Sequence, residues 1–163
     1  MVIRSMAPSV WEHVSRIYLE GISTGFATFE TQAPKYQDWD RAHTKECRLI
    51  AENEGEILGW AALSPVSSRC VYGGVGEVSV YISDKSRGKG VGKLLMQHLI
   101  EESEKAGYWT IQSGIFPENL ASIKLHEKVG FPYIGKRERV GKIHGVWKDN
   151  LLFEKRSPKV GTD

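Results

Sequence analysis

The spacing of apolar and polar residues changes period several times along this chain, and each change marks an element. Val2–Ser5 reads as a short strand. From Pro8 onward, Val10, Trp11, Val14, Ile17 and Tyr18 fall on one stripe at helical spacing, and proline pre-sets the first turn. A Gly/Thr-rich loop over 22–31 is followed, after Pro34, by a polar helix with Trp39 as its apolar anchor. Segments 48–52 and 56–64 flank Glu54-Gly55, which predicts an antiparallel hairpin. From Glu77, Val78, Val80 and Ile82 alternate with Glu77, Ser79 and Tyr81, giving one aliphatic and one polar face. A helix over 91–106 follows, with Leu94, Leu95 and Leu99 inward, then a strand over 108–115 and a helix begun by Asn119. Two strands over 133–140 and 146–153 end the ordered pattern, and a polar tail from Lys155 is expected to be loose. No internal repeat or linker interrupts this order. It predicts one mixed α/β domain over 1–155, a twisted sheet flanked by helices, with a polar tail over 156–163.

The segment after the Glu77 strand is the most informative. Arg87-Gly88-Lys89-Gly90-Val91-Gly92-Lys93 leads straight into helical residues. Glycines let a backbone approach a ligand closely, and the free N–H groups of a helix start can hold phosphate oxygens. Two common phosphate loops are excluded by spacing. A P-loop would need glycine at Arg87 and a hydroxyl at Leu94, and the dinucleotide fingerprint would need glycine at Lys93. What remains is R-x-x-G-x-G after a strand. A plainer reading, a loop that only turns the chain, competes until other segments are weighed.

A second segment supplies that weight. Asn119, Ser122, Leu125, His126, Glu127, Gly130 and Phe131 spell N-x-x-S-x-x-L-H-E-x-x-G-F. Asn119 can cap its own helix and Gly130 can end it. Together the two segments resemble the coenzyme A loop and the second signature of the GNAT acetyltransferases. Tyrosine is usual in that family at the position of His126, so its role as general acid does not carry over. Three further segments resemble the phosphinothricin and methionine sulfoximine N-acetyltransferases: Arg69-x-x-Tyr72 leading to Glu77 and Val80-Tyr81-Ile82, the tail 140–149 with His144-Gly145-x-Trp147-x-Asp149, and Thr28-Phe29-Glu30. The tail departs at one point, where Ile143 stands in place of the usual lysine before the histidine. The resemblance runs from about Arg4 to Phe153.

It implies the GNAT fold, acetyl-CoA as co-substrate, no metal, and a homodimer. It implies cofactor contacts at Val80, Tyr81, Ile82, Arg87, Gly88, Lys89, Gly90, Val91, Gly92, Lys93, Asn119, Ser122 and His126. Phe29, Arg69 and Tyr72 are implied around the acceptor. An arginine can hold a phosphinate, sulfoximine or carboxylate oxygen through paired hydrogen bonds.

Composition narrows the picture only slightly. A chain of 163 residues with 40% hydrophobic and 26% charged residues suits one domain with a real core. A net charge of +2 gives no reason to expect nucleic acid or a membrane surface as partner. Cys47 and Cys70 have no metal spacing and read as reduced thiols of a cytoplasmic protein. No apolar run approaches the ~18 residues of a spanning helix, and no charged-then-apolar leader opens the chain.

The chemistry sets its own requirements. Acyl transfer from a thioester to an amine needs a neutral amine, so a base must take a proton directly or through water. Glu77, at the start of the strand expected to meet the acyl group, is the first candidate for that base, and His144 the second. Neither cysteine lies in a nucleophile context, which favours direct transfer to the α-amino group of a small glutamate-like acceptor. A peptide or protein N-terminal acetyltransferase, or a non-catalytic sensor of coenzyme A, are the alternatives.

Overall fold

The computed structural model describes residues 1–163. Seven strands, β1 (Val2–Ser5), β2 (Leu49–Asn53), β3 (Glu56–Pro65), β4 (Val75–Ile82), β5 (Thr110–Ile115), β6 (Tyr133–Ile143) and β7 (Val146–Arg156), form one sheet in the order β1-β2-β3-β4-β5-β7-β6. The helices are α1 (Trp11–Ile22), α2 (Tyr36–Ala42), α3 (Val91–Lys105) and α4 (Leu120–Lys128). All neighbouring strands are antiparallel except β4 and β5, which α3 connects as a parallel pair.

Each face of the sheet carries its own core. On one face, Val91, Leu95, Met96 and Leu99 of α3 bury against Leu49, Ala61, Leu63, Ile111 and Phe153. On the other, Val14 and Ile17 of α1 and Trp39 of α2 bury against Ile50, Trp60 and Ala62. The strict alternation in β3 explains this: Trp60 and Ala62 point one way, Ala61 and Leu63 the other, and all four are fully buried. Leu94, expected inward, is only half-buried, and Met96, two residues on, takes an inner position.

Two sequence expectations change. The strand expected over 133–140 runs on to Ile143, and His144 is the first residue of the two-residue turn joining β6 to β7. His144 at φ +49° and Gly145 at φ +78° are both left-handed, as a tight hairpin turn demands. The tail is not loose from Lys155. β7 continues to Arg156, the Ser157 N–H donates to the Trp109 carbonyl at 2.8 Å, and the Ser157 hydroxyl donates to Glu104 at 2.5 Å. The Arg156 guanidinium donates to the Val160 and Gly161 carbonyls, so polar side chains do the tethering that hydrophobicity did not announce.

One close approach positions α1. A Cβ added to Gly21 would lie 2.6 Å from the Tyr81 ring, which is itself stacked on Trp60 at 5.0 Å and tilted against Tyr18 at 4.8 Å. The ring has no room to retreat. Gly21→Ala is therefore expected to destabilise the protein by about 1–3 kcal/mol through overpacking. Denaturant titration measures this, and an unchanged midpoint would mean that α1 shifts freely.

Candidate active site

The site begins where a strand pair ends. β4 and β5 pair only at Val75–Thr110, Gly76–Ile111 and Glu77–Gln112; beyond Glu77 the two strands part. A cleft of about 790 Å³ lies in the gap. Its edge can be read from the other side of β4. The Ser83 N–H donates to the Leu58 carbonyl, so in the antiparallel β3–β4 ladder the odd residues Ser79 and Tyr81 turn their backbone groups toward β3. Val78, Val80 and Ile82 turn theirs into the gap. The side chains of these three pack with α3 and α4, whereas Glu77, Ser79 and Tyr81 face the α1 side.

The glycine loop closes one end of the cleft. Gly88 (φ +75°) and Gly90 (φ +83°) are left-handed, and an added Cβ at either meets open space. Gly90 is the residue ahead of α3, so the N–H groups of Val91, Gly92 and Lys93 have no acceptor within the helix. Gly92 does a different job: its added Cβ would be 3.0 Å from Leu125, so it sets the approach of α3 to α4. Arg87, Lys93, Lys124 and Lys128 add positive charge along this part of the lining. Arg87 also pairs with Asp84 at 2.8 Å.

The opposite end is polar and acidic. Glu77 is exposed there, with no ion-pair or hydrogen-bond partner in the protein, and Glu30 also lines the cleft. Phe29, from the loop after α1, stands edge-on to Phe116 at 4.6 Å. A Cβ on Gly141 of β6 would lie 2.8 Å from its ring, so this loop is clamped over the ends of β5 and β6.

Residues 9–131 match the acetyltransferase (GNAT) family. The chain belongs to that family. Among its relatives are a phosphinothricin N-acetyltransferase of Streptomyces viridochromogenes, 31% identical over 78% of this chain and 72% of the relative, and an L-methionine sulfoximine/L-methionine sulfone acetyltransferase of Pseudomonas aeruginosa, 39% identical over 65% of this chain and 62% of the relative. Solved structures with the same fold include a GNAT superfamily phosphinothricin acetyltransferase from Sinorhizobium meliloti in complex with AcCoA (TM-score 0.88, 25% identity, 99% of this chain and 91% of that one). A ribosomal-protein-alanine N-acetyltransferase from Brucella melitensis also matches (TM-score 0.90, 28% identity, 96% and 100%).

In this GNAT chain the cleft gathers most of the residues singled out from sequence: Glu77, Phe29, Val80, Tyr81, Ile82, the loop from Arg87 to Lys93 apart from Lys89, and Asn119, Ser122 and His126. Four do not line it. Lys89 points elsewhere on the loop, and His144 is exposed at the β6–β7 turn. Arg69 and Tyr72 flank an exposed turn before β4, with the guanidinium 5.7 Å from the tyrosine ring centre. Sequence reasoning missed Ser113 and Asn150, which both line the cleft.

Asn119 and His126 are only partly available to a ligand. The Asn119 Oδ1 accepts from the Ser122 N–H at 3.2 Å, capping α4 and leaving its Nδ2 free. His126 is 2% exposed. Its Nδ1 lies 2.7 Å from the Ser122 carbonyl, which can only accept, so Nδ1 carries the proton. Nε2 then accepts from the Ser113 hydroxyl at 2.7 Å. Burial pushes the His126 pKa below the ordinary 6.5 and holds the ring neutral. His43, stacked on Trp39 at 4.1 Å, is lowered by burial in the same way.

The sign of the linkage follows. The unfolded chain binds these protons near pH 6.5 and the folded one does not, so their contribution to stability is full above pH 6.5 and declines as pH falls toward the lowered folded values. Urea midpoints should therefore drop between about pH 7.5 and about pH 5.5, and the drop should shrink in His126→Gln, leaving the share of His43. An unchanged acid slope in that variant would exclude His126 as a source.

Proposed function

We propose that this acetyltransferase moves the acetyl group of acetyl-CoA, in one direct step, to the α-amino group of a small glutamate-like amino acid of the phosphinothricin, methionine sulfoximine or methionine sulfone type. One observation carries the reading: open backbone groups on Val80 and Ile82 lead from an open glycine loop toward an unpaired carboxylate, Glu77. The names of the relatives and of the Sinorhizobium structure support the substrate class and the cofactor.

The residues present fit the cofactor. The N–H groups from Gly88 to Lys93 suit a pyrophosphate, whose charge Arg87 and Lys93 complement. Val80 and Ile82 would offer their backbone to the amides of a pantetheine arm as a neighbouring strand does, and the free Nδ2 of Asn119, which lines the same cleft, would be available to it. When bound, acetyl-CoA supplies an acetyl group activated as a thioester. Glu77, on the polar face, accepts a proton from the acceptor ammonium directly or through water. His126 is not the acid for the departing thiolate: it is neutral and its only proton is held by the Ser122 carbonyl. A direct step is supported by the thiols. Cys47 is buried and its pKa is pushed up to about 12, first by burial and then by Glu46 and Glu102, and neither Cys47 nor Cys70 lines the cleft.

Arg69 and Tyr72 for the polar head of the acceptor, His144 as a partner base and a cytoplasmic location belong to this reading on the resemblance alone. A homodimer has one further support, the exposed Val140, Val146 and Trp147 on the β6–β7 hairpin. The Brucella neighbour makes a peptide amine the reading to test against.

A thiol-release screen with acetyl-CoA across phosphinothricin, methionine sulfoximine, ordinary amino acids, polyamines and a peptide with N-terminal alanine tests the acceptor. Preference for the peptide would overturn it. For the cofactor, Gly90→Val should weaken acetyl-CoA binding severely, because it strains a left-handed position and fills the open space beside the loop. Calorimetry giving parental affinity for a folded variant would move the pyrophosphate elsewhere. For the base, Glu77→Gln should lower kcat by roughly 10²–10⁴-fold near neutrality. Part of the rate should return as pH rises and the acceptor arrives neutral. A parental rate with an unshifted acidic limb would transfer the role to another group.

A further inference from the structure

We infer that the side-chain amide of Asn150 is the group that holds the ammonium and carboxylate of the acceptor amino acid. The inference rests on the function proposed above. Its starting point is an orphan: the Oδ1 of Asn150 is buried and has no hydrogen-bond partner in the protein. Only two other buried side-chain atoms share that condition, the indole nitrogens of Trp39 and Trp60. Those donors lie among aromatic rings, with Trp39 and Trp60 edge-to-face at 5.7 Å, and neither lines the cleft. Asn150 does line it. A buried amide acceptor without a partner is costly, so natural structures seldom keep one that nothing will occupy.

The register places it on the reactive face. Glu77 pairs with Gln112, and Gln112 with Glu154. Residues directly opposite share a face, and so do alternate residues along a strand, so Asn150 stands on the same side of the sheet as Glu77. Leu151 and Phe153 point to the opposite core. Between β4 and β7 runs β5, and the position over which Asn150 leans is Gly114. A Cβ there would be 2.6 Å from the Asn150 Nδ2 and 3.2 Å from both Cγ and Oδ1. The missing side chain is thus the notch through which the amide reaches toward the gap. Two strand spacings across the sheet, roughly 10 Å, and four residues along it, roughly 13 Å, separate the backbones of Glu77 and Asn150, so the acceptor lies between them and a water can relay its proton to Glu77. A primary amide offers an acceptor and a donor side by side, which an α-ammonium and its carboxylate complement. No lysine or arginine lines this acidic end: the cationic lining comes from the glycine loop and α4. A neutral donor therefore suits the carboxylate here without displacing the ammonium from Glu77.

Asn150→Leu, with the same number and branching of side-chain heavy atoms but none of them polar, tests this. With the best amino-acid acceptor of the screen, KM should rise by about ten-fold or more. Its decarboxylated amine should lose much less, and acetyl-CoA affinity should stay at the parental value. Thermal stability should hold or rise, since an unpaired buried acceptor has been removed. A merely structural asparagine would instead lower the melting temperature and weaken every acceptor equally. Asn150→Asp should also raise KM for the amino acid, through repulsion of the carboxylate. Parental KM in Asn150→Leu, equal losses for amino acid and amine, or a lowered melting temperature would each overturn the assignment. If the parent acetylates amines but no α-amino acid, the proposed function fails and this assignment with it. If the parent acetylates amino acids and Asn150→Leu does so equally well, only the role of Asn150 fails.

Discussion

The parting of β4 from β5 after three residue pairs is the constraint on which the site depends. Backbone groups at the middle of a sheet are almost always paired, and leaving a row of them open is unfavourable unless water or a ligand meets them. Here the opening is held from outside. β4 stays paired with β3 over seven positions, from Gly59–Ile82 to Pro65–Gly76, and β5 stays paired with β7 over six. Each strand is fixed by its other neighbour, so the gap cannot close by sliding. A site built between two anchored strands is more rigid than one built on loops, and its unpaired groups are oriented before a ligand arrives.

The two faces of the sheet divide the work at this gap. On the α3 side, Val78, Val80 and Ile82 are covered by the helix that the glycine loop leads into, so the same packing that stabilises β4 also fixes the glycine-loop end. On the α1 side, Tyr81 and Tyr18 form a floor with Trp60. Burial raises the pKa of both phenols, helped for each by the charge of Glu30, so they stay protonated and neutral through the ordinary range. An acidic cleft end beside a neutral aromatic floor favours a cationic amine without offering a competing base.

How far this was legible in the sequence depends on the separation of the contacts involved. The alternation 77–82, the glycine loop and the Asn119 cap are local patterns, and each lies where its periodicity indicated. Asn150 and Ser113 were not legible because their meaning is cross-strand. β7 inserts between β5 and β6, so the neighbour of Asn150 over the cleft is Gly114, 36 positions earlier. An isolated amide between Asp149 and Leu151 carries no signal until that order is known. His144 has a local role that the sequence does state, a left-handed turn before Gly145. Ile143, in place of the lysine usual in similar chains, is buried beside that turn. The ordering of Ser157 rests on Trp109 and Glu104, some fifty residues away, which composition could not foretell.

The shape of the gap also bears on the order of chemical events. Its glycine-loop end and its acidic end lie at opposite limits of the exposed β4 edge, and the two faces of the sheet present different chemistry to it. On the proposed reading, a donor along Val80 and Ile82 and an acceptor beside Glu77 would approach the same point from different directions and need not leave to make room for one another. A covalent relay would require a nucleophile at that point. The nearest thiols are a buried one whose pKa burial has raised to about 12 and an exposed one outside the cleft, and the His126–Ser113 pair is oriented with the serine hydroxyl donating to a ring that is kept neutral. A serine so placed has a base beside it, yet His126 spends its own proton on the Ser122 carbonyl and is packed against Phe131 at 5.1 Å, 2% exposed. No carboxylate orients that ring as a nucleophilic triad would. The pair ties α4 to β5 and so fixes the wall of the gap opposite β4, while the unpaired carboxylates of the lining, Glu77 and Glu30, stand at the other end.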